Sequence, residues 1–250
     1  MFGAQPMRRA MVFRPVKSGA PSRPTIVLMP GYGMRPDVYL PMAELLAERA
    51  DVVIPDVFDI PGWWAFDRVL DCLQLTLAEI GVGHISLFGH SFGGALVLGL
   101  AARDPSRVVE CVFSDTLGVN REMILAREAV HPLGIVRMAT QRAATAFVRS
   151  WATHPVPLAT AALWAFVDNR EAEIEAVAHA GIPCHVLWAD TDTVLSRADG
   201  REFAKRLHAD FTVAERPHGS EPIDHDWMFD DPELFVAHLE RLRLRALTGG

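Results

Sequence analysis

The stretch Ile85-Ser86-Leu87-Phe88-Gly89-His90-Ser91-Phe92-Gly93-Gly94 restricts the fold more than any other part of the chain. An apolar run of strand length ends at Gly89, and an Ala- and Leu-rich segment of helical character starts at Phe92, so strand must turn into helix almost at once. So sharp a turn leaves no room for Cβ atoms beside its apex, and the two flanking glycines meet that need. The serine between them is then presented above the amino terminus of the following helix. A serine between glycines is by itself an ordinary turn residue. The strand before it and the helix after it make the G-x-S-x-G pattern specific.

The rest of the chain has the alternation in which such a turn belongs. Apolar runs that read as strands, over 25–29, 52–55, 85–88, 108–113, 184–188 and 211–215, alternate with segments of helical period over 42–49, 66–80, 92–103, 197–207 and 232–247. This rhythm predicts an α/β fold with a mostly parallel central sheet flanked by helices. The last helix has a clear start, with Asp231 as cap and Pro232 and Glu233 in its first turn. Over 119–180 the rhythm breaks: Ala-rich, helix-forming sequence carries no strand candidate, and Pro132, Pro155 and Pro157 divide it into short helices. It reads as an inserted helical cap, with the core expected over 1–118 and 181–250.

At 250 residues the chain is long enough to bury a core without a staple. Half of it is hydrophobic and 22% is charged, which excludes a disordered chain, a collagen-like fibre and a coiled coil. A net charge of −7 repels phosphate, so neither nucleic acid nor an anionic membrane is expected as a partner. No apolar run reaches the length of a membrane span, and the amino-terminal apolar run over 10–13 is interrupted by Arg14, so a cytoplasmic protein is expected. Cys72, Cys111 and Cys184 are widely spaced and match no metal-ligand pattern; they are expected to be reduced core residues, and no metal is expected.

On the strand, serine turn and helix of residues 85–94, the chain resembles the α/β-hydrolase family, and the resemblance extends over most of residues 25–247. It implies an α/β-hydrolase fold with a helical cap, a small-molecule substrate, no cofactor, and Ser91 as nucleophile. Met29-Pro30-Gly31-Tyr32-Gly33 is similar to the family's oxyanion loop, with Pro30 where the family usually has His. The resemblance implies the backbone amides of Tyr32 and Phe92 as oxyanion donors. Val186-Leu187-Trp188-Ala189-Asp190-Thr191-Asp192 resembles the family's strand ending in Gly-Asp-x-Asp, with Ala189 in place of Gly. This implies Asp192 as the catalytic acid and Asp190 as a loop-orienting residue. Asp115, just beyond the strand over 108–113, stands where some members keep their acid and is the alternative.

The segment from Asp224 to Glu233 is similar to the family's catalytic His, followed seven residues later by Pro-Glu at the start of the last helix. That implies His225 as base, over His218, which lies seven residues too early. The order Ser, Asp, His is also the family's order. One segment departs from the pattern: Asp59-Ile60-Pro61-Gly62-Trp63-Trp64-Ala65 lacks the usual Gly and Ser beyond Pro-Gly.

A weakly nucleophilic hydroxyl, an imidazole that takes its proton and a carboxylate that holds the imidazole tautomer form a working unit for acyl transfer. The expected activity is therefore hydrolysis of an ester, lactone or thioester. A carbon–carbon bond hydrolase of the same fold and a ligand receptor without turnover are the alternatives. Ser rather than Asp at position 91 argues against the dehalogenase and epoxide hydrolase branches. His90 is expected to pack or hydrogen-bond beneath the turn, and the acidic residues around His225 to be solvated loop charge. Trp63, Trp151 and Trp164 are candidates for lining an apolar pocket, although tryptophan is first of all core material. Nothing in the sequence indicates an oligomeric state.

Overall fold

Strands buried on both faces read as unbroken apolar runs, and five such runs, with a half-exposed sixth at the sheet edge, lie side by side in the computed structural model, which describes residues 10–13, 25–60, 63–116, 141–167, 170–216, 222–242 and 244–248. The strands are Ala10–Phe13 (β1), Thr25–Met29 (β2), Val52–Pro55 (β3), Ile85–His90 (β4), Val108–Ser114 (β5), Cys184–Ala189 (β6) and Asp210–Ala214 (β7). They form one sheet in the order β1-β3-β2-β4-β5-β6-β7, parallel throughout except for β1, which pairs antiparallel with β3 at the edge. Sequence reading misses β1. Its four residues neither alternate in polarity nor fill a buried position, with Met11 and Val12 more than a third exposed, so its conformation comes from the β3 backbone beside it.

The helices are Leu40–Ala47 (α1), Phe66–Glu79 (α2), Gly93–Arg103 (α3), Gln141–Thr153 (α4), Pro155–Val167 (α5), Glu171–His179 (α6), Arg197–Arg206 (α7), Trp227–Asp230 (α8), Pro232–Arg241 (α9) and Arg245–Thr248 (α10). Strand pleating sends alternate residues to opposite faces and so divides the core. Ile26 and Leu28 of β2 share one cluster with Met42 and Leu46 of α1 and Phe235 and Leu239 of α9. Val27 and Met29 face the other cluster, with Leu70 of α2, Val97 of α3, Val177 of α6 and Phe203 of α7. The three cysteines are free and buried. No helix among the described residues is long and apolar enough to cross a membrane.

The continuous last helix expected over 232–247 is instead α9 followed by the short α10. The bend brings the Ala246 amide to Glu110 Oε1 at 3.1 Å, where the Ser86 hydroxyl also donates at 2.8 Å. A buried carboxylate on β5 thus obtains the hydrogen bonds it needs from a neighbouring strand and from the carboxy terminus.

Within 119–180, residues 119–140 lie outside the described residues, Pro132 among them. Pro155 separates α4 from α5, as a ring without an N–H donor should, and Pro157 falls within the first turn of α5. Ile174 and Val177 of α6 are buried in the core cluster on the α3 side of the sheet. That helix therefore belongs to the layer that covers the sheet.

Candidate functional site

Ser91 sits just beyond β4 with φ at +51°, in the left-handed region that a non-glycine residue enters only when its surroundings demand it. The demand is visible. Its N–H donates to the Ser114 carbonyl at 3.0 Å, and its own carbonyl accepts from Gly94 N at 3.1 Å and from the Thr116 hydroxyl at 2.8 Å. A Cβ on Gly93 would collide with the Met29 carbonyl, and one on Gly94 with the Thr116 hydroxyl. The turn is thus held between the ends of β2 and β5 so closely that only glycine fits after Phe92. Ser91 itself stays partly exposed.

The loop after β2 brings Gly31, Tyr32 and Gly33 beside this turn. Gly31 N–H is taken by the Tyr39 hydroxyl at 2.8 Å. Among the described residues, the amides of Tyr32 and Phe92 have no acceptor, so both are free to donate. Tyr32 packs edge-on against Phe92, with ring centroids 6.3 Å apart.

Asp192 and His225 meet although 33 residues separate them: His225 Nδ1 and Asp192 Oδ2 are 3.1 Å apart, with both side chains buried. The other Asp192 oxygen accepts from the amides of Val194 and Leu195, each at 2.8 Å, which fixes the carboxylate in its loop. Asp190 and Asp224 shape the two loops. Asp190 accepts from Ile223 N at 3.0 Å, and Asp224 accepts from Thr193 N and from His225 N, each at 2.7 Å.

The alternative acid, Asp115, is also here, fully buried, but its oxygens are committed elsewhere. One accepts from Ala189 N at 2.7 Å, and the other from the Trp227 indole at 2.9 Å and the Ser114 hydroxyl at 2.8 Å. The structure thus puts Asp192, not Asp115, on His225 Nδ1. His218 lies outside the described residues. The Ser91 hydroxyl has no hydrogen-bond partner among the described residues. Ser91 is tied to His225 through its neighbour His90, whose ring lies 5.1 Å from that of His225 and whose Nε2 reaches the His225 carbonyl oxygen at 3.2 Å.

Burial works against a charge on His225. The Asp192 carboxylate and its hydrogen bond, followed by Asp226 and Asp115, outweigh burial and raise the imidazole above its ordinary range. Asp115 is pushed up to about 7 by burial and by the like charge of Asp192. Asp226 is pushed up to about 7, chiefly by burial. His90 moves the opposite way, well below its usual value, because it is buried and faces His225.

His90, His225 and Asp226 bring possible metal-ligating atoms within 4.8 Å of one another. Both His90 nitrogens and Nδ1 of His225 are already engaged in hydrogen bonds, so the cluster is a poor cage for a cation.

The three tryptophans fall in different surroundings. Trp63 is buried, donates to the Val57 carbonyl at 2.9 Å, and lies stacked between Phe58 and Trp164 at centroid distances of 5.2 and 5.4 Å. Trp164 is half-buried. Trp151 is more than a third exposed and touches Phe147 edge-on. Two residues to which sequence reading gives no part in this hydrogen bonding hold its framework: Tyr39, on the Gly31 amide, and Trp227, on Asp115. Their only sequence signal is nearness to Gly31 and to His225.

Residues 26–238 match the model of the alpha/beta hydrolase family. No curated protein matches the chain. Among solved structures, a thermophilic esterase from Thermogutta terrifontis is similar with a TM-score of 0.73 at 16% identity, covering 96% of this chain and 93% of that one. A hydrolase from Oleispira antarctica is similar at 0.72 and 12%, covering 93% of each chain. The N-formylmaleamic acid deformylase of Pseudomonas putida S16 is similar at 0.68 and 17%, covering 92% of this chain and 94% of that one. At such identities the likeness is one of fold.

Proposed function

Because the chain belongs to the alpha/beta hydrolase family, we propose that it is a serine hydrolase that cleaves an ester, lactone or thioester of an apolar small molecule through an acyl-enzyme. The observation that carries this reading is the buried Asp192–His225 bond of 3.1 Å beside a serine held at positive φ. Asp192 occupies Nδ1 and so leaves Nε2 of His225 as the proton acceptor. Ser91 Oγ attacks the acyl carbonyl carbon while its proton passes to Nε2, and the amides of Tyr32 and Phe92 hold the resulting oxyanion. Collapse breaks the bond to the leaving oxygen or sulfur, which takes the proton from His225. Water then attacks the acyl carbon and gives a proton to His225. Ser91 recovers that proton as the acid departs.

The apolar character of the substrate rests on the helices after β5. On α4, Phe147 lies so close to the oxyanion loop that a Cβ on Gly33 would come within 2.6 Å of it. On α5, the Leu158 carbonyl accepts from the Tyr32 hydroxyl at 3.0 Å. These helices act as a cap over the serine, and Trp164, stacked on Trp63, belongs to its apolar lining; Trp151 stands at the margin.

Labelling with a fluorophosphonate, followed by a panel of ester, lactone and thioester substrates, tests the proposal. Labelling with turnover and an initial burst of product supports it. Cleavage restricted to a dienoic diketone selects the carbon–carbon hydrolase instead, and tight ligand binding without turnover selects the receptor.

A pH profile adds a second check. The base works only when neutral, and the carboxylates of Asp192, Asp226 and Asp115 favour its charged form, so the neutral fraction grows only as pH rises through a raised value. The acid limb of kcat/KM is therefore expected above pH 6.5, the ordinary histidine value. Asp226→Asn, by removing one of these charges, is expected to move the limb downward by about half a unit. A limb at or below 6.5 in the wild type would count against His225 as base.

A further inference from the structure

Beneath the serine turn runs a chain of hydrogen bonds that the acyl-transfer steps do not use. Gly31 N–H donates to Tyr39 Oη at 2.8 Å, Tyr39 Oη and His90 Nδ1 are 3.2 Å apart, and His90 Nε2 lies 3.2 Å from the carbonyl oxygen of His225. Tyr39 and His90 are both buried, and Phe229 packs edge-on against each ring at 4.8 and 5.5 Å. Gly31 has to be glycine for this approach, since a Cβ there would come within 2.9 Å of His90 Nδ1.

The two ends of the chain determine where every proton sits. An amide N–H only donates and a carbonyl only accepts. Tyr39 Oη accepts from Gly31, so its own hydrogen is left to donate, and His90 Nδ1 is the acceptor in reach. The His90 proton then sits on Nε2 and donates to His225. A second proton on His90 would point Nδ1–H at a hydroxyl oxygen that already accepts from Gly31, leaving the tyrosine hydrogen without an acceptor in a buried place. Burial and the facing His225 oppose that second proton. Asp226, the nearest carboxylate, is 3.8 Å from Nε2, beyond hydrogen-bond reach.

We propose that Tyr39 and His90 are positioning residues that set the oxyanion loop and the backbone of the base relative to the serine through this single chain of hydrogen bonds. His90 directly precedes Ser91, so its ring is fixed with respect to the nucleophile. One nitrogen holds the loop that presents the Tyr32 amide, and the other holds the residue that carries the base. The kinetic consequence rests on the proposed function, whereas the proton arrangement does not.

The test uses Tyr39→Phe, which deletes one hydroxyl and keeps the ring, together with His90→Leu, the double variant and His90→Gln. All rates are expressed per fluorophosphonate-titrated site, so any unfolded fraction drops out. Tyr39→Phe is expected to lower kcat on a short aryl ester about tenfold and to weaken binding of a trifluoromethyl ketone in parallel, with KM changed by less than about twofold. His90→Leu should act alike, and the double variant should be no worse than the lower single, because both cut the same chain. Gln at position 90 can accept from Tyr39 and donate to His225, and should bring kcat back to within about threefold of wild type.

Wild-type kcat per titrated site in Tyr39→Phe, additive losses in the double variant, or no recovery in His90→Gln would overturn the proposal. NMR of 15N-labelled histidine reads the chain without reference to activity: His90 should remain neutral and protonated on Nε2 between about pH 5 and 9. A proton on Nδ1, or a titration within that range, overturns the chain whatever the kinetics. If the wild-type protein takes up no fluorophosphonate, the hydrolase reading fails and the kinetic role with it, while the NMR result still decides the proton arrangement.

Discussion

Replacing Ser91 by alanine is expected to abolish fluorophosphonate labelling and to lower kcat/KM by more than about a thousandfold, the usual scale for a lost nucleophile. The fold should survive the change. The hydroxyl has no hydrogen-bond partner among the described residues, and the turn is held by backbone bonds to Ser114, Gly94 and Thr116 that alanine retains. Alanine at φ +51° also carries much the same strain as serine, so the melting temperature should move little. Labelling, steady-state kinetics and a thermal melt on one preparation separate loss of chemistry from loss of structure. Activity above about one thousandth of wild type would remove Ser91 from the role proposed for it.

Asp192→Asn is expected to cost about 10³–10⁴ in kcat, because an amide can present a donor to His225 Nδ1 and so favour the tautomer whose proton blocks Nε2. Asp115→Asn should cost less than about tenfold in kcat and instead lower stability by about 1–3 kcal/mol. Asp115 accepts from Ala189 N, the Trp227 indole and the Ser114 hydroxyl, and an asparagine has a single acceptor oxygen with which to replace two. Kinetics and thermal melts of the two variants give the comparison. The reverse ranking, with Asp115→Asn the slower enzyme and Asp192→Asn the less stable one, would transfer the acid to the end of β5.

Ser91 could be placed from sequence because local sterics specify it: glycines on both sides, an apolar run before and a helix after determine the turn wherever the rest of the chain goes. The five buried strands β2 to β6 are legible for a similar reason, since a strand covered on both faces has to be apolar along most of its length, as 25–29 and 85–88 are. Strand β1 is not, because half-exposed Met11 and Val12 are extended only through their pairing with β3. Local rules also carried the last helix too far, across a bend that places the Ala246 amide on buried Glu110.

The identity of the carboxylate on His225 is a different kind of question. Asp115 and Asp192 both follow the carboxy-terminal ends of neighbouring parallel strands, and both lie close enough to His225 to raise its pKa. Their positions at strand ends leave the two acids equivalent, and only the resemblance of residues 186–192 to the family's strand favours Asp192 in sequence. The tertiary structure separates them, because the Trp227 indole takes an oxygen of Asp115 while the amides of Val194 and Leu195 turn Asp192 toward the imidazole. Tyr39 shows the same limit, joining Gly31 to His90 across 51 residues of chain. Steric requirements act between neighbours in sequence and can be read there, whereas the partner of a buried polar group is chosen among groups that only the folded chain brings within about 3 Å.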